Sequence, residues 1–68
     1  MNFFQQSYLH AMAQGNWNEA FGIAQSVLAE TPVDAEWLNR MGYSALVGGQ
    51  TAKALECFDA AVLADPYF

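Results

Sequence analysis

The chain contains one histidine, His10, and one cysteine, Cys57, two residue types that often form a nucleophile and its base. A cysteine becomes reactive when a neighbouring cation stabilises its thiolate. Cys57 instead follows Glu56 and lies close to Asp59, whose carboxylates favour the neutral thiol. We therefore expect an inert cysteine and a structural or solvated histidine rather than a catalytic pair. A single cysteine also excludes a disulfide within the chain.

Metal, phosphate and acid–base sites have no matching motif in the sequence. Metal sites often pair two histidines or two cysteines at a short fixed spacing, and neither spacing occurs. Glu30, Asp34 and Glu36 surround a predicted turn and helix start, where carboxylates interact favourably with the helix dipole. Gly48-Gly49 is interpreted as a turn, because no Lys or Ser/Thr follows it at the spacing of a phosphate-binding loop. The sequence thus predicts no enzyme, no cofactor and no metal.

Apolar residues recur at three- and four-residue spacing, which predicts α-helices and no strand. The four helices are expected at 3–13, 17–30, 35–47 and 51–64. They are separated by Gly15-Asn16, Thr31-Pro32 and Gly48-Gly49, because glycine favours turns and proline lacks the amide hydrogen that a helix needs. Asp34 is a suitable N-cap for the third helix.

The sequence repeats with a period of 34 residues. Three pairs of landmark residues share this offset: Gly15 with Gly49, Ala20 with Ala54, and Pro32 with Pro66. The 68 residues therefore divide into two units, 1–34 and 35–68, within one domain. A period in this range is typical of helical repeat proteins, whose units bury their apolar faces against one another.

The landmarks resemble those of the tetratricopeptide repeat. The second unit keeps the pattern's glycine at Gly42, its A-x3-F at Ala54 and Phe58, and its closing proline at Asp65-Pro66. Its substitutions are Leu38, Met41 and Ala45. The first unit is looser; its substitutions are Phe4, Ser7, Tyr8, Ala11 and Ala24. The resemblance implies an all-α fold in which two helix–turn–helix hairpins stack as a short right-handed solenoid. We also expect Ala54 to face Gly42 at a close helix contact.

In this family the first helix of each unit lines a concave groove. By register, the groove residues here are Gln5, Leu9, Met12, Asn39, Tyr43, Leu46 and Val47. Some family members clamp a carboxylate tail with Lys, Arg and Asn side chains, but Leu9 and Tyr43 stand where that clamp needs Asn. The apolar groove residues predict an amphipathic helix or an apolar peptide as ligand. Met12, Tyr43 and Val47 are expected to be exposed, whereas Leu9 and Leu46 either line the groove or pack between the hairpins.

Arrays of this family usually end in a solvating helix that covers the last unit, and none is recognisable after Asp65-Pro66. The fourth helix is therefore predicted to expose Leu55, Phe58 and Val62, which we interpret as self-association residues. Two alternatives follow. Either the chain is a fragment of a longer array, or two copies pair about a two-fold axis that covers both open ends.

Charge and composition limit the class of partner. Seven acidic residues against Arg40 and Lys53 give a net charge of −5, which effectively excludes nucleic acid and anionic membrane surfaces as partners. No signal peptide or membrane span is recognisable, and the lone cysteine favours a reducing, cytoplasmic location. Aromatic residues make up 15% of the chain, more than two small hairpins can bury, so some are expected to contact a partner.

Two functions remain open at this point. The first is a non-catalytic module or scaffold for protein–protein interaction, similar to small bacterial tetratricopeptide chaperones and assembly factors. The second is a self-associating structural unit, whose apolar surfaces are used up in its own homo-oligomer. Binding of a protein or peptide partner distinguishes the first function from the second.

Overall fold

Four α-helices make up the described part of the chain. A computed structural model describes residues 3–67, and no strand occurs within them. The helices are α1 (Phe3–Ala13), α2 (Trp17–Glu30), α3 (Ala35–Val47) and α4 (Thr51–Ala64). The predicted helix bounds and the all-α fold class are confirmed. The outermost residues of the two predicted units, 1–2 and 68, lie outside the described residues.

The helices pack mainly against their neighbours in sequence, α1 on α2, α2 on α3 and α3 on α4. Many buried residues are alanines, and Ala20, Ala24 and Ala45 have no exposed surface. Such short side chains let the helix backbones approach closely. The bulk of the core comes from larger residues such as Tyr8 on α1 and Trp37 on α3, whose rings meet edge to face with centroids 5.8 Å apart. This ring contact joins the first helix directly to the third.

The turns after α1 and after α3 have the same backbone structure. Gly15 and Gly49 adopt φ values of +73° and +78°, a conformation that glycine reaches at low cost. In each turn the glycine amide donates to the carbonyl three residues earlier, and the next amide donates to the carbonyl five residues earlier. These are the hydrogen bonds of a Schellman motif. The ends of α2 and α4 also correspond, because the amides of Thr31 and Asp65 donate to carbonyls four residues earlier at 3.1 and 3.0 Å.

Side-chain caps begin two of the helices. The amide of Trp37 donates to Asp34 at 3.3 Å, which confirms the predicted N-cap of α3. The amide of Glu19 donates to Asn16 at 3.4 Å and caps α2 in the same way. α4 follows Gln50, whose side chain forms no capping bond. The start of α4 therefore depends more on its packing against α3 than on a cap.

Two glycines mark the places where aromatic rings reach the backbone of α3. A methyl group on Gly42 would lie 2.7 Å from Cε1 of Phe58 and 3.1 Å from Cβ of Cys57. The expected partner, Ala54, is buried but is not the nearest neighbour there. The close contact lies one turn further along α4, because the ring of Phe58 fills the space beside Gly42. Gly48, which caps the end of α3, lies against the indole ring of Trp17.

Candidate interaction surface

The exposed side of α3 borders an open pocket of about 380 Å³. Three aromatic and three polar side chains line this pocket: Tyr8, Tyr43, Phe58, Glu36, Asn39 and Arg40. The four residues from α3 fall at positions 36, 39, 40 and 43, one turn after another, which places them on one side of that helix. A wall of aromatic rings with a few polar groups is typical of sites that bind an apolar ligand and fix its orientation.

Arg40 is held in a defined position at the edge of this pocket. Its guanidinium forms a 2.9 Å ion pair with Glu36, one turn earlier on α3. Its Cζ atom lies 4.7 Å from the centroid of the Trp37 ring and 6.0 Å from that of Tyr8. Aromatic ring faces attract a cation at such distances. The hydroxyl of Tyr8 donates to the backbone carbonyl of Arg40 at 2.9 Å, which fixes the ring relative to α3.

The phenol of Tyr8 remains neutral over a wide pH range. Burial raises its pKa above the usual 10.0, Arg40 opposes this shift, and Tyr43 adds to it. The neutral hydroxyl is the form that donates to the Arg40 carbonyl, so its hydrogen bond also requires the proton. Tyr8 thus acts as a hydrogen-bond donor that ties α1 to α3.

A second pocket of about 180 Å³ lies next to the first. Its walls are Asn39, Ala61, Val62, Asp65 and Pro66. Asn39 lines both pockets, so they adjoin at this residue, between α3 and the second half of α4. We call the two pockets together the α3–α4 groove.

The predicted groove residues fall into an exposed and a partly buried group. The exposed ones are Leu9, Tyr43, Leu46 and Val47, and we call them the apolar row. Gln5 and Asn39 are partly buried. The expectation for Met12 is wrong, since it packs against the core rather than standing exposed. Met12 lies one turn after the buried Tyr8 and therefore on the core-facing side of α1. Leu9 and Leu46 do not pack between the hairpins.

The three predicted self-association residues differ in their surroundings. Leu55 and Val62 are exposed on α4. Phe58 is only partly exposed, because its ring packs on Gly42 and lines the larger pocket. Sequence reasoning also missed Tyr8 as a pocket residue, because it occupies the position of a glycine in the repeat pattern. A large side chain at a position that the pattern reserves for a small one was the available signal.

Cys57 lies inside the contact between α3 and α4, next to Gly42. Burial raises the pKa of its thiol, and the adjacent Glu56 raises that pKa further. The direction agrees with the sequence-based expectation, although burial rather than charge is the larger cause. His10 is exposed on α1. Within residues 3–67, no three His, Cys, Asp or Glu side chains are grouped so that they could hold a metal ion.

Comparison with known proteins identifies no family model, curated protein or solved structure that matches this chain. In the described part of the chain, none of the helices combines the length and the apolar character needed to cross a membrane.

Proposed function

We propose that this protein is a non-catalytic interaction module of the tetratricopeptide type, which binds an amphipathic helix or an apolar peptide. In this proposal the two units stack as a short right-handed solenoid, with α1 and α3 on the concave side. The identical turns at Gly15 and Gly49 support a repeated unit. The ring contact between Tyr8 and Trp37 supports the neighbouring placement of α1 and α3.

The apolar row beside the aromatic pocket is the observation that carries this proposal. Leu9, Tyr43, Leu46 and Val47 are large apolar residues that remain exposed. A ligand that covers them removes apolar surface from water, which favours association. Tyr43 belongs both to the row and to the pocket lining, so a ligand across both would contact it centrally. Aromatic residues at the centre of an interface commonly contribute most of the binding free energy.

The charge distribution narrows the ligand class further. Both basic residues of the chain lie over aromatic rings, Arg40 over Trp37 and Lys53 over Phe21 with Nζ 5.5 Å from the centroid. The net charge is −5, so acidic groups dominate the surface. A helix or peptide with an apolar face and neutral or basic flanks is therefore the best match, since acidic flanks would be repelled.

A selected ligand and matched variants test the proposal. Helical peptides are selected from a display library against the protein, and their affinities are measured by fluorescence anisotropy. We expect Tyr43→Ala to weaken binding about tenfold or more. Leu63→Ala is the control, because Leu63 is exposed on α4 but lines neither pocket. Equal affinities for the wild type and both variants would contradict the proposal.

A second candidate function is self-association as a structural unit. The exposure of Leu55 and Val62 on α4 favours it, because a second copy could cover these residues. Sedimentation equilibrium of the wild type over a range of concentrations tests this candidate directly. A mass that rises with concentration supports it, and a constant monomer mass opposes it.

A further inference from the structure

Equivalent residues of the two units lie in different surroundings. Leu28 on α2 and Val62 on α4 are 34 residues apart, and the hydrogen bonds that end the two helices correspond. Leu28 is only 9% exposed and belongs to the core cluster that contains Trp37 and Leu38 of α3. Val62 is 62% exposed. The difference arises because α3 packs on α2, while no helix of the described residues takes the corresponding place on α4.

The opposite end of the molecule shows the complementary difference. Trp37 on α3 is 5% exposed, whereas Phe3, at the same register on α1, is 76% exposed. Phe4 is also exposed, although Leu38 at its register is buried. α1 therefore presents large apolar side chains at the positions that α3 uses to pack on the preceding unit.

We propose that the α3–α4 groove receives α1 of a second copy, as the first unit receives α3, so that copies associate head to tail. This inference rests on the second candidate function, self-association, and specifies its geometry. Phe3 of one copy takes the role of Trp37, and Val62 of the other copy takes the role of Leu28. Within the chain, Tyr8 on α1 supplies an aromatic ring to the contact with α3. The residue at its register on α3 is Gly42, so Phe58, which packs on Gly42, supplies the ring to the contact with the second copy. One interface thus covers both exposed ends.

Charge favours this arrangement over pairing of two α4 helices about a two-fold axis. The first 18 residues of the sequence contain no Asp, Glu, Lys or Arg. The second half of the chain carries Glu56, Asp59 and Asp65 along and just after α4. Two-fold pairing would bring these carboxylates of two copies together, and like charges across an interface oppose association. Head-to-tail packing places the uncharged α1 against them instead.

The internal contact also predicts which exposed residues stay outside the interface. Within the chain, Tyr43 remains exposed although its helix α3 packs on the first unit. Leu9 stands at the same register on α1, so it should remain exposed when α1 packs on a second copy. Ala29 is exposed on α2, so Leu63, at its register on α4, should also stay exposed. The apolar row therefore stays uncovered, whereas the aromatic pocket beside Tyr43 is filled by α1 of the next copy, so a peptide would contact only the row on assembled copies. Each copy has one surface of each kind, which produces open chains of copies rather than a closed dimer.

Two charged variants and two neighbouring controls test the geometry by sedimentation velocity. We expect the wild type to form species larger than a dimer as concentration rises, and Phe3→Glu and Val62→Glu each to sediment as monomers. Leu9→Glu and Leu63→Glu add the same charge on the same helices and should associate like the wild type. Circular dichroism verifies that each variant keeps its helices. If a glutamate variant loses helix, Phe3→Ser or Val62→Ser replaces it.

Mixing the two monomeric variants gives the decisive measurement. Phe3→Glu keeps an intact α3–α4 groove and Val62→Glu keeps an intact α1, so their mixture should form a one-to-one dimer that grows no further. Association of Phe3→Glu alone, together with loss of association in Val62→Glu, overturns head-to-tail packing and leaves two-fold pairing through α4. A wild type that stays monomeric at hundreds of micromolar overturns self-association itself. Neither result decides whether a peptide binds the apolar row, which the affinity of Tyr43→Ala for a selected peptide tests separately.

Discussion

The ring of Phe58 packs against the backbone of Gly42, and in the first unit the large and small residues at these two registers are exchanged. Tyr8 stands at the register of Gly42, and Ala24 at that of Phe58. Each unit thus has one aromatic ring at this pair of registers, on its first helix in one case and on its second helix in the other. The exchange keeps the packed volume similar while it changes which helix supplies the ring.

Because the ring of Phe58 packs on Gly42, the stability cost of a substitution at Gly42 should depend strongly on the side chain at position 58. Gly42→Ala places a methyl group 2.7 Å from the Phe58 ring, and we expect a loss of about 1–3 kcal/mol in the free energy of unfolding. In a Phe58→Leu background the smaller side chain leaves room, so the same change should cost much less. Urea denaturation at one protein concentration measures the double-mutant cycle. Identical costs in both backgrounds would show that the ring is not the obstacle.

Gly48 and Gly22 should respond in opposite directions to the same substitution. Gly48 has an ordinary φ of −81°, so the obstacle to an alanine there is the adjacent indole ring of Trp17 rather than the backbone conformation. We expect Gly48→Ala to cost about 1–3 kcal/mol and to change the near-ultraviolet circular dichroism of the indole. Gly22 has open space around it within α2, so Gly22→Ala should stabilise by about 0.5–1 kcal/mol. Thermal melts of the two variants provide the comparison, and a stabilised Gly48→Ala would contradict the contact.

Tyr8→Phe should change how stability depends on pH. The folded-state pKa of Tyr8 is raised, so its stabilising contribution is complete below about pH 10 and is lost as the pH rises through that raised pKa. Near neutral pH the variant lacks the hydrogen bond to Arg40 and should be less stable by about 0.5–1.5 kcal/mol. Above about pH 10 this gap should narrow. Cys57 titrates in both proteins, so its effect largely cancels. A gap that stays constant in alkaline solution would argue against the buried phenol.

Arg40 and Glu36 form an ion pair, but their removal should have unequal effects. Glu36 is largely exposed, so Glu36→Gln should change stability by no more than about 0.5 kcal/mol, and added salt should erase the difference. Arg40 also lies over Trp37 and near Tyr8, so Arg40→Gln should cost more, about 1–2 kcal/mol, and the loss should persist in salt. Chemical denaturation at low and high salt checks both. Equal, salt-sensitive losses would show that the ion pair alone matters.

The helix bounds could be predicted from the sequence because each depends on local chemistry. Gly15 and Gly49 permit the positive φ of the turns, Pro32 cannot continue α2, and Asp34 caps α3. The exposure of Tyr43 and its neighbours also follows from helical periodicity. These features need only a few consecutive residues.

The composition of the pocket could not be predicted in the same way. Whether Phe58 points outward or covers Gly42 depends on how closely two helices approach, and a repeat pattern does not contain that distance. The position of Met12 has a related cause, since it lies one turn after the buried Tyr8 and its flexible side chain packs against the core. Tyr8 and Phe58, whose place in the pocket the sequence did not predict, supply rings from α1 and α4 to the same pocket.

Because each helix packs mainly on its neighbours in sequence, the order of packing affects how the protein folds and where it unfolds locally. Most contacts join helices that are adjacent in the chain, so little loop entropy is lost before they form, and rapid folding is expected. α1 and α4 each have one main neighbour, while α2 and α3 have two, so the ends can exchange their amide hydrogens by local fraying while the middle pair stays closed. The hydroxyl of Tyr8 donates to the carbonyl of Arg40, 32 residues away in sequence. Fraying of α1 therefore breaks a hydrogen bond to α3, which couples the local unfolding of the first helix to the third.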